Sequence, residues 1–212
     1  MNESGTSCTT FFFKEALSTL CIDNKRKELL ENIAHFIGSE LQAGRQVNIN
    51  FICTHNSRRS QLSQVWSHFA TEHFSLRNIQ SFSGGTAVTA FHRNTVKTLQ
   101  EKGFIFEIAN SSIENPVYTI NYTGCIKPIN GFSKRYDSLH NQYPFIAITT
   151  CSEADSNCPF IAEAIQRFHL PFKDPKSSDG TPIQAESYLA ANRQISGEIH
   201  YLFKFLSDNY PF

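Results

Sequence analysis

The 212-residue chain carries no surplus of either charge, with Lys and Arg matched by Asp and Glu at 19 each. It therefore has no long-range field that would gather nucleic acid or an anionic membrane, and any anion recognition must be local. No run of apolar residues is long enough to cross a bilayer. The opening residues MNESGTSCTTFFFKEAL lack a basic start, and Phe11 to Phe13 give way at once to Lys14 and Glu15, so no secretory signal is expected. There is no internal repeat and no cysteine spacing of the zinc-ribbon kind, and no metal site or cofactor is expected. What is present is ordinary for a globular chain: 40% hydrophobic and 18% charged residues exclude extensive disorder, and the length suits one domain with decorations. Six cysteines without a signal point to a reducing compartment, the cytoplasm, and to reactive thiols rather than a disulfide framework.

Periodicity organises the chain. Residues 1 to 10 read as frayed. Apolar residues then recur at helical spacing over 13 to 20 and 29 to 41, with Leu29, Ile33, Ile37 and Leu41 on one stripe, Asp23 or Asn24 as cap and Gly44 after the end. These helices define an extension over residues 1–45, ahead of a domain over 46–212. Val47 to Ile52 alternates as a strand, and Leu62, Val65, Trp66 and Phe69 mark a helix. Ile79 to Phe82 reads as a second strand, Ser83 to Thr86 as a tight turn, and Phe91 to Leu99 as a helix stopped by Gly103. Phe104 to Ile108 and Val117 to Tyr122 are rich in β-formers, and Phe145 to Thr149 is a short buried strand. Pro159 is expected to open a helix carrying Ile161, Ile165 and Phe168, and a long last helix starts near Pro182. Strands alternating with helices imply an α/β fold with a mostly parallel sheet covered on both faces.

The chemistry gathers at Cys53-Thr54-His55-Asn56-Ser57-Arg58-Arg59-Ser60, between the first strand and its helix. Five residues between Cys53 and Arg59 let the loop curl so that its N–H groups converge on one anion, with the positive end of the helix behind them. Such a setting favours a thiolate at Cys53. Arg59 offers a fork for two oxygens of a tetrahedral anion, Ser60 can hydrogen-bond the sulfur, and Asn56 can brace the loop. His55 is expected to face solvent and Arg58 to add positive potential at the rim. The spacing alone fits an ordinary polar turn; its position between strand and helix favours the functional reading.

The loop resembles that of the low-molecular-weight protein tyrosine phosphatase family, and within it the thioredoxin-coupled arsenate reductases. The likeness rests on Cys53 to Gln61, on Ser83-Gly84-Gly85-Thr86 after the second strand, and on Asp174-Pro175; it spans about residues 47 to 207, interrupted between roughly 110 and 144. It implies a doubly wound, four-stranded, mostly parallel sheet, with Asp174 as general acid and Asp155 in reserve. The segment Thr150-Cys151-Ser152-Glu153-Ala154-Asp155-Ser156-Asn157-Cys158-Pro159 looks like the paired-cysteine redox helix of the reductases. The resemblance then implies a relay in which Cys151 attacks the sulfur of Cys53 and Cys158 attacks Cys151, exposing a disulfide to thioredoxin.

Several features depart from the family. The helical extension and a β-rich insertion before Phe145 are additional, and the insertion, with Tyr118, Tyr122, Tyr136 and Tyr143, is expected to fold as a hairpin beside the mouth of the site. Gln64 stands where some reductases carry an acidic potassium ligand, so no potassium is expected. Cys8, Cys21 and Cys125 have no partner pattern. Arsenate reduction is the leading expectation. A phosphatase using Cys53 and Asp174 alone, and an oxyanion-binding or redox-sensing module without turnover, stay open beside it.

Overall fold

The structure, a computed structural model, describes residues 7–110, 112–157 and 160–210. The chain opens with helices α1 (Cys8–Thr19) and α2 (Asn24–Gln42), followed by strand β1 (Val47–Cys53), α3 (Arg59–His73), β2 (Ile79–Gly85) and α4 (Arg93–Gln100). Strands β3 (Phe104–Asn110), β4 (Val117–Tyr122) and β5 (Ile129–Gly131) precede β6 (Phe145–Thr149), α5 (Ser152–Asn157), β7 (Ala164–His169) and the long α6 (Gln184–Asn209). The main sheet has the order β2-β1-β6-β7 with every pair parallel. It is the parallel α/β sheet that the alternation of elements implied, with the doubly wound, four-stranded form that the resemblance implied.

The alternation within β1 explains how this sheet is covered. Val47, Ile49 and Phe51, with Ile146 and Ile148 of β6, enter one large core together with residues of α1, α2, α3 and α6. On the opposite face Ile52 and Cys53 join Phe145, Ala147, Cys151, Ala154 and Ile161 in a smaller cluster. There the polar members of the alternation find partners on the segment before β6: Asn48 Nδ2 donates to Pro144 O at 2.9 Å and Asn50 Nδ2 to Tyr136 O at 3.0 Å. A period of two thus gives β1 two buried faces without orphaning its amide nitrogens.

The N-terminal helices share the main core. Phe13 stacks on Trp66 with ring centroids 5.6 Å apart, and Trp66 Nε1 donates to Asn192 Oδ1 of α6 at 2.6 Å. The first helix starts earlier than expected: Ser7 caps α1, accepting from Thr10 N at 3.2 Å, and Thr9 is buried. Asp23 caps α2 as expected. Arg26 ties α2 to α6, with Nε donating to Glu198 Oε2 at 2.8 Å and a second nitrogen to Pro171 O at 2.9 Å. Burial pushes the Glu198 carboxyl up even against the pull of Arg26. Arg26→Met is therefore expected to cost about 3–5 kcal/mol in urea unfolding at neutral pH, because it strands a buried carboxylate. A loss below about 1 kcal/mol would mean that the pair behaves as a solvent-screened one.

Three expectations change. Ile165 and Phe168 lie on β7, not on a helix; Pro159 is outside the described residues, and the short helix of this region is α5. The spacing of Ile161, Ile165 and Phe168 fits a helical stripe, but backbone pairing with β6 takes this segment into the sheet. Ser83 to Gly85 continue β2 as strand instead of turning. The insertion is a three-stranded antiparallel sheet, β3-β4-β5, rather than a lone hairpin, and Phe104 to Ile108 belong to it. Among the described residues, no helix is long and apolar enough to cross a membrane.

Candidate active site

Cys53 is the last residue of β1, buried beside Gly85 at the end of β2. The chain then curls through residues 54–58 into α3, and Asn56 takes a left-handed conformation at φ 46°. Each carbonyl of the curl is engaged. Thr54 O accepts from Ala87 N at 2.8 Å, His55 O from Ser133 Oγ at 2.9 Å, and Asn56 O from Gln61 Nε2 at 3.1 Å. Ser57 O accepts from His92 N at 3.1 Å and Arg58 O from Leu62 N at 2.9 Å. With these carbonyls bound to neighbouring elements, N–H groups are left for the concave side, and Asn56 N points at Cys53 Sγ at 3.2 Å. No side chain caps α3, so its first N–H groups add to the same field.

Neighbours hold this shape. Ser60 Oγ lies 3.0 Å from Cys53 Sγ and accepts from Asn56 Nδ2 at 2.9 Å, while Asn56 Oδ1 accepts from Lys134 N at 2.9 Å. Ser57 Oγ donates to Ala90 O at 2.7 Å. Ser133 and Lys134 come from the insertion, so this segment braces the loop from outside; burial pushes the Lys134 ammonium down to about 8. Close packing also fixes Gly85, where an added Cβ would meet Asn56 N at 2.8 Å and Thr54 O at 2.9 Å. His55 and Arg58 line a cavity of about 500 Å³ with Ile113, Pro116 and Tyr118.

Arg59 and Asp174 meet. The Arg59 guanidinium donates to Asp174 Oδ2 at 2.6 Å and to Phe172 O at 3.2 Å, while its buried Nε has no partner among the described residues. Arg58 takes a different position from the open rim: it donates to Tyr188 OH and to Asp179 Oδ2, both at 2.6 Å. Burial pushes Tyr188 up to about 12, and Asp179 sits below the usual carboxylate range because hydrogen bonds from Tyr188 and Arg58 outweigh its desolvation. Arg58 thereby anchors the loop to α6. Asp179 and Tyr188 are far along the chain, and the sequence carried no signal for them.

Cys151 follows the C-terminal end of β6 and is buried in the same small cluster as Cys53. Its Sγ lies 3.6 Å from Thr54 Oγ1, and Thr54 Oγ1 also donates to Glu153 Oε2 at 3.0 Å. Thr54 therefore links the residue after Cys53 to the segment bearing the second thiol. Cys158 lies outside the described residues; Cys8, Cys21, Cys53, Cys125 and Cys151 are free thiols. Asp155, the reserve acid, is engaged by Thr149 and Arg167. Burial pushes its carboxyl up, but Thr149 at 2.7 Å and Arg167 at 2.5 Å outweigh this and hold it below its usual range. Gln64 is buried and accepts from Ser83 Oγ at 2.6 Å.

No family model matches the chain. It is similar to a Bacillus licheniformis protein named arsenate reductase, with 28% identity over 152 residues that cover 71% of this chain and 89% of the relative. Among solved structures, a low-molecular-weight protein tyrosine phosphatase from T. tengcongensis overlaps with a TM-score of 0.48 at 17% identity, over 74% of this chain and 98% of that one. A Corynebacterium glutamicum thioredoxin-dependent arsenate reductase overlaps with a TM-score of 0.43 at 15% identity, over 94% of each chain. The resemblance of the sequence to arsenate reductases is thus not confined to the loop.

Proposed function

We propose that the chain reduces arsenate to arsenite through a relay of Cys53, Cys151 and Cys158. The observation that carries this reading is Cys151, a second buried thiol joined through Thr54 to the loop that ends β1. Hydrolysis of a phosphoester has no use for it. The name of the Bacillus licheniformis relative points the same way.

The anion enters the loop between its N–H groups and the Arg59 fork, displacing the Asp174 carboxyl from Arg59 and leaving it beside the departing oxygen. The Cys53 thiolate attacks arsenic, an As–O bond breaks, and the oxygen leaves as water with a proton that Asp174 supplies. Cys151, as thiolate, then attacks Cys53 Sγ. The S–As bond breaks with its electron pair going to arsenic, As(V) becomes As(III), and arsenite departs from a Cys53–Cys151 disulfide. Cys158 attacks Cys151 Sγ and releases the Cys53 thiolate. A dithiol reductant of the thioredoxin class supplies two electrons to the Cys151–Cys158 disulfide and closes the cycle.

The pairing of Asp174 with Arg59 also favours a second reading, hydrolysis of phosphate monoesters, in which the same carboxyl protonates an alcohol leaving group. A peptide map separates the two. Reduced protein exposed to arsenate without reductant is expected to yield a Cys151–Cys158 disulfide, whereas phosphate leaves the thiols free. Thiols that stay reduced, together with hydrolysis of an aryl phosphate, would give the phosphatase reading instead.

A further inference from the structure

A second group of ligand-type side chains lies outside the relay. His68 and Glu72 stand one turn apart near the end of α3, and the turn after β4 brings Cys125 to them; one ligand atom from each lies within 4.8 Å of the others. Glu72 is fixed from outside, with Oε2 accepting from Tyr122 OH and from Ile126 N at 3.0 Å, and Oε1 from Lys127 N at 3.0 Å. Such bonds orient a carboxylate as outer-shell donors do around a metal ligand, and they leave part of its roughly four acceptor sites open. His68 Nε2 is buried 3.6 Å from Glu72 Oε1, with no side-chain hydrogen-bond partner among the described residues, and the imidazole also faces the backbone of Lys127.

We propose that His68, Glu72 and Cys125 form a binding site for a divalent cation of the zinc type. Two ligands about 2.0–2.1 Å from a tetrahedral zinc stand about 3.4 Å apart, so the observed His68 to Glu72 separation needs only a small adjustment. Rotation of the Cys125 side chain closes the remainder. One imidazole, one carboxylate and one thiolate select zinc over magnesium or calcium, and the two anionic ligands neutralise the cation. The Cys125 proton passes to solvent on binding, so affinity rises with pH. A cleft of about 460 Å³, lined by His68, Glu72, Gln64, Lys127 and Asn130 among others, gives entry to the cation and room for water as a fourth ligand. Lys127 lines the same cleft and its charge opposes a cation there, against the two anionic ligands. The bound ion would pin the loop between β4 and β5 to α3, the helix that starts at Arg59.

Co²⁺ serves as the probe, titrated into the reduced, metal-free full chain. One equivalent is expected to bind with a thiolate-to-cobalt charge-transfer band that persists in Cys53→Ser and Cys151→Ser and disappears in Cys125→Ser. His68→Gln, which leaves every cysteine in place, is expected to weaken binding at least about tenfold. Zn²⁺ should raise the thermal midpoint of the unaltered chain and leave that of Cys125→Ser where it was. A band that survives Cys125→Ser or is lost in Cys53→Ser overturns the proposal, as does affinity unchanged by His68→Gln.

Discussion

Cys53→Ser is expected to lower arsenite production, and hydrolysis of any aryl phosphate, by roughly 10⁴-fold or more, the scale of loss when a nucleophile is removed from a concerted set. A serine hydroxyl is not ionised near neutral pH, and among the described residues the hydrogen-bond partners of Cys53 Sγ are Asn56 N and Ser60 Oγ, neither of which is a base. The oxyanion itself should still bind. The carbonyls of the curl are held by Ala87, Ser133, Gln61, His92 and Leu62, and none of these bonds involves the sulfur. Calorimetric titration with phosphate should therefore give the same affinity for the variant as for the unaltered chain. The two measurements divide the roles. Turnover retained by Cys53→Ser would remove the sulfur from the chemistry, and loss of phosphate binding would show that the sulfur shapes the loop rather than reacting in it. If the unaltered chain binds phosphate but turns over neither substrate, the protein is an oxyanion-binding module.

The parts of this site that the sequence displays are the local ones. Cys53 to Ser60 are contiguous, so a strand before them and a helical stripe after them suffice to predict a curled loop, a bond from Ser60 to sulfur and a brace at Asn56. The stripe of α2 and its Asp23 cap are legible for the same reason. What escapes is set by pairing across distance. A spacing of Ile161, Ile165 and Phe168 satisfies a helix until β6 offers backbone partners, and a parallel edge strand leaves little alternation to betray it. Arg58 gives the loop a charged residue without saying where it points; Asp179 and Tyr188 decide that, and both arrive with the C-terminal segment. Cys125 has no partner pattern along the chain, because His68 and Glu72 reach it only once β4 has packed on α3. Asp174 is an ordinary turn residue in sequence, and only the family resemblance singled it out before Arg59 was found bonded to it.

That bond sets the terms of the last prediction. Arg59→Lys is expected to reduce kcat/KM for arsenate by roughly 10²–10³-fold, the range for losing one main electrostatic partner of a transition state. Charge alone is conserved by this substitution, and a lysine ammonium can still pair with Asp174, so the fold has little reason to change. Geometry is what goes. Arg59 now spans Asp174 Oδ2 and Phe172 O with two nitrogens and holds a third, Nε, buried without a partner among the described residues. A planar fork of that kind grips two oxygens of a tetrahedral anion at once and keeps its grip as the centre becomes trigonal bipyramidal, whereas an ammonium is a point charge. The loss should therefore fall on kcat more than on KM, since ground-state attraction survives while the fitted contact in the transition state does not. Exchange of the Asp174 partner adds to it: a fork can turn two nitrogens to the anion and release the carboxyl to act as acid, but a single ammonium must serve both. Steady-state kinetics with arsenate and a thioredoxin-class reductant, set against the thermal midpoint of the variant, test this. A fall confined to KM, or a loss of less than about tenfold, would assign Arg59 to attraction of the anion alone.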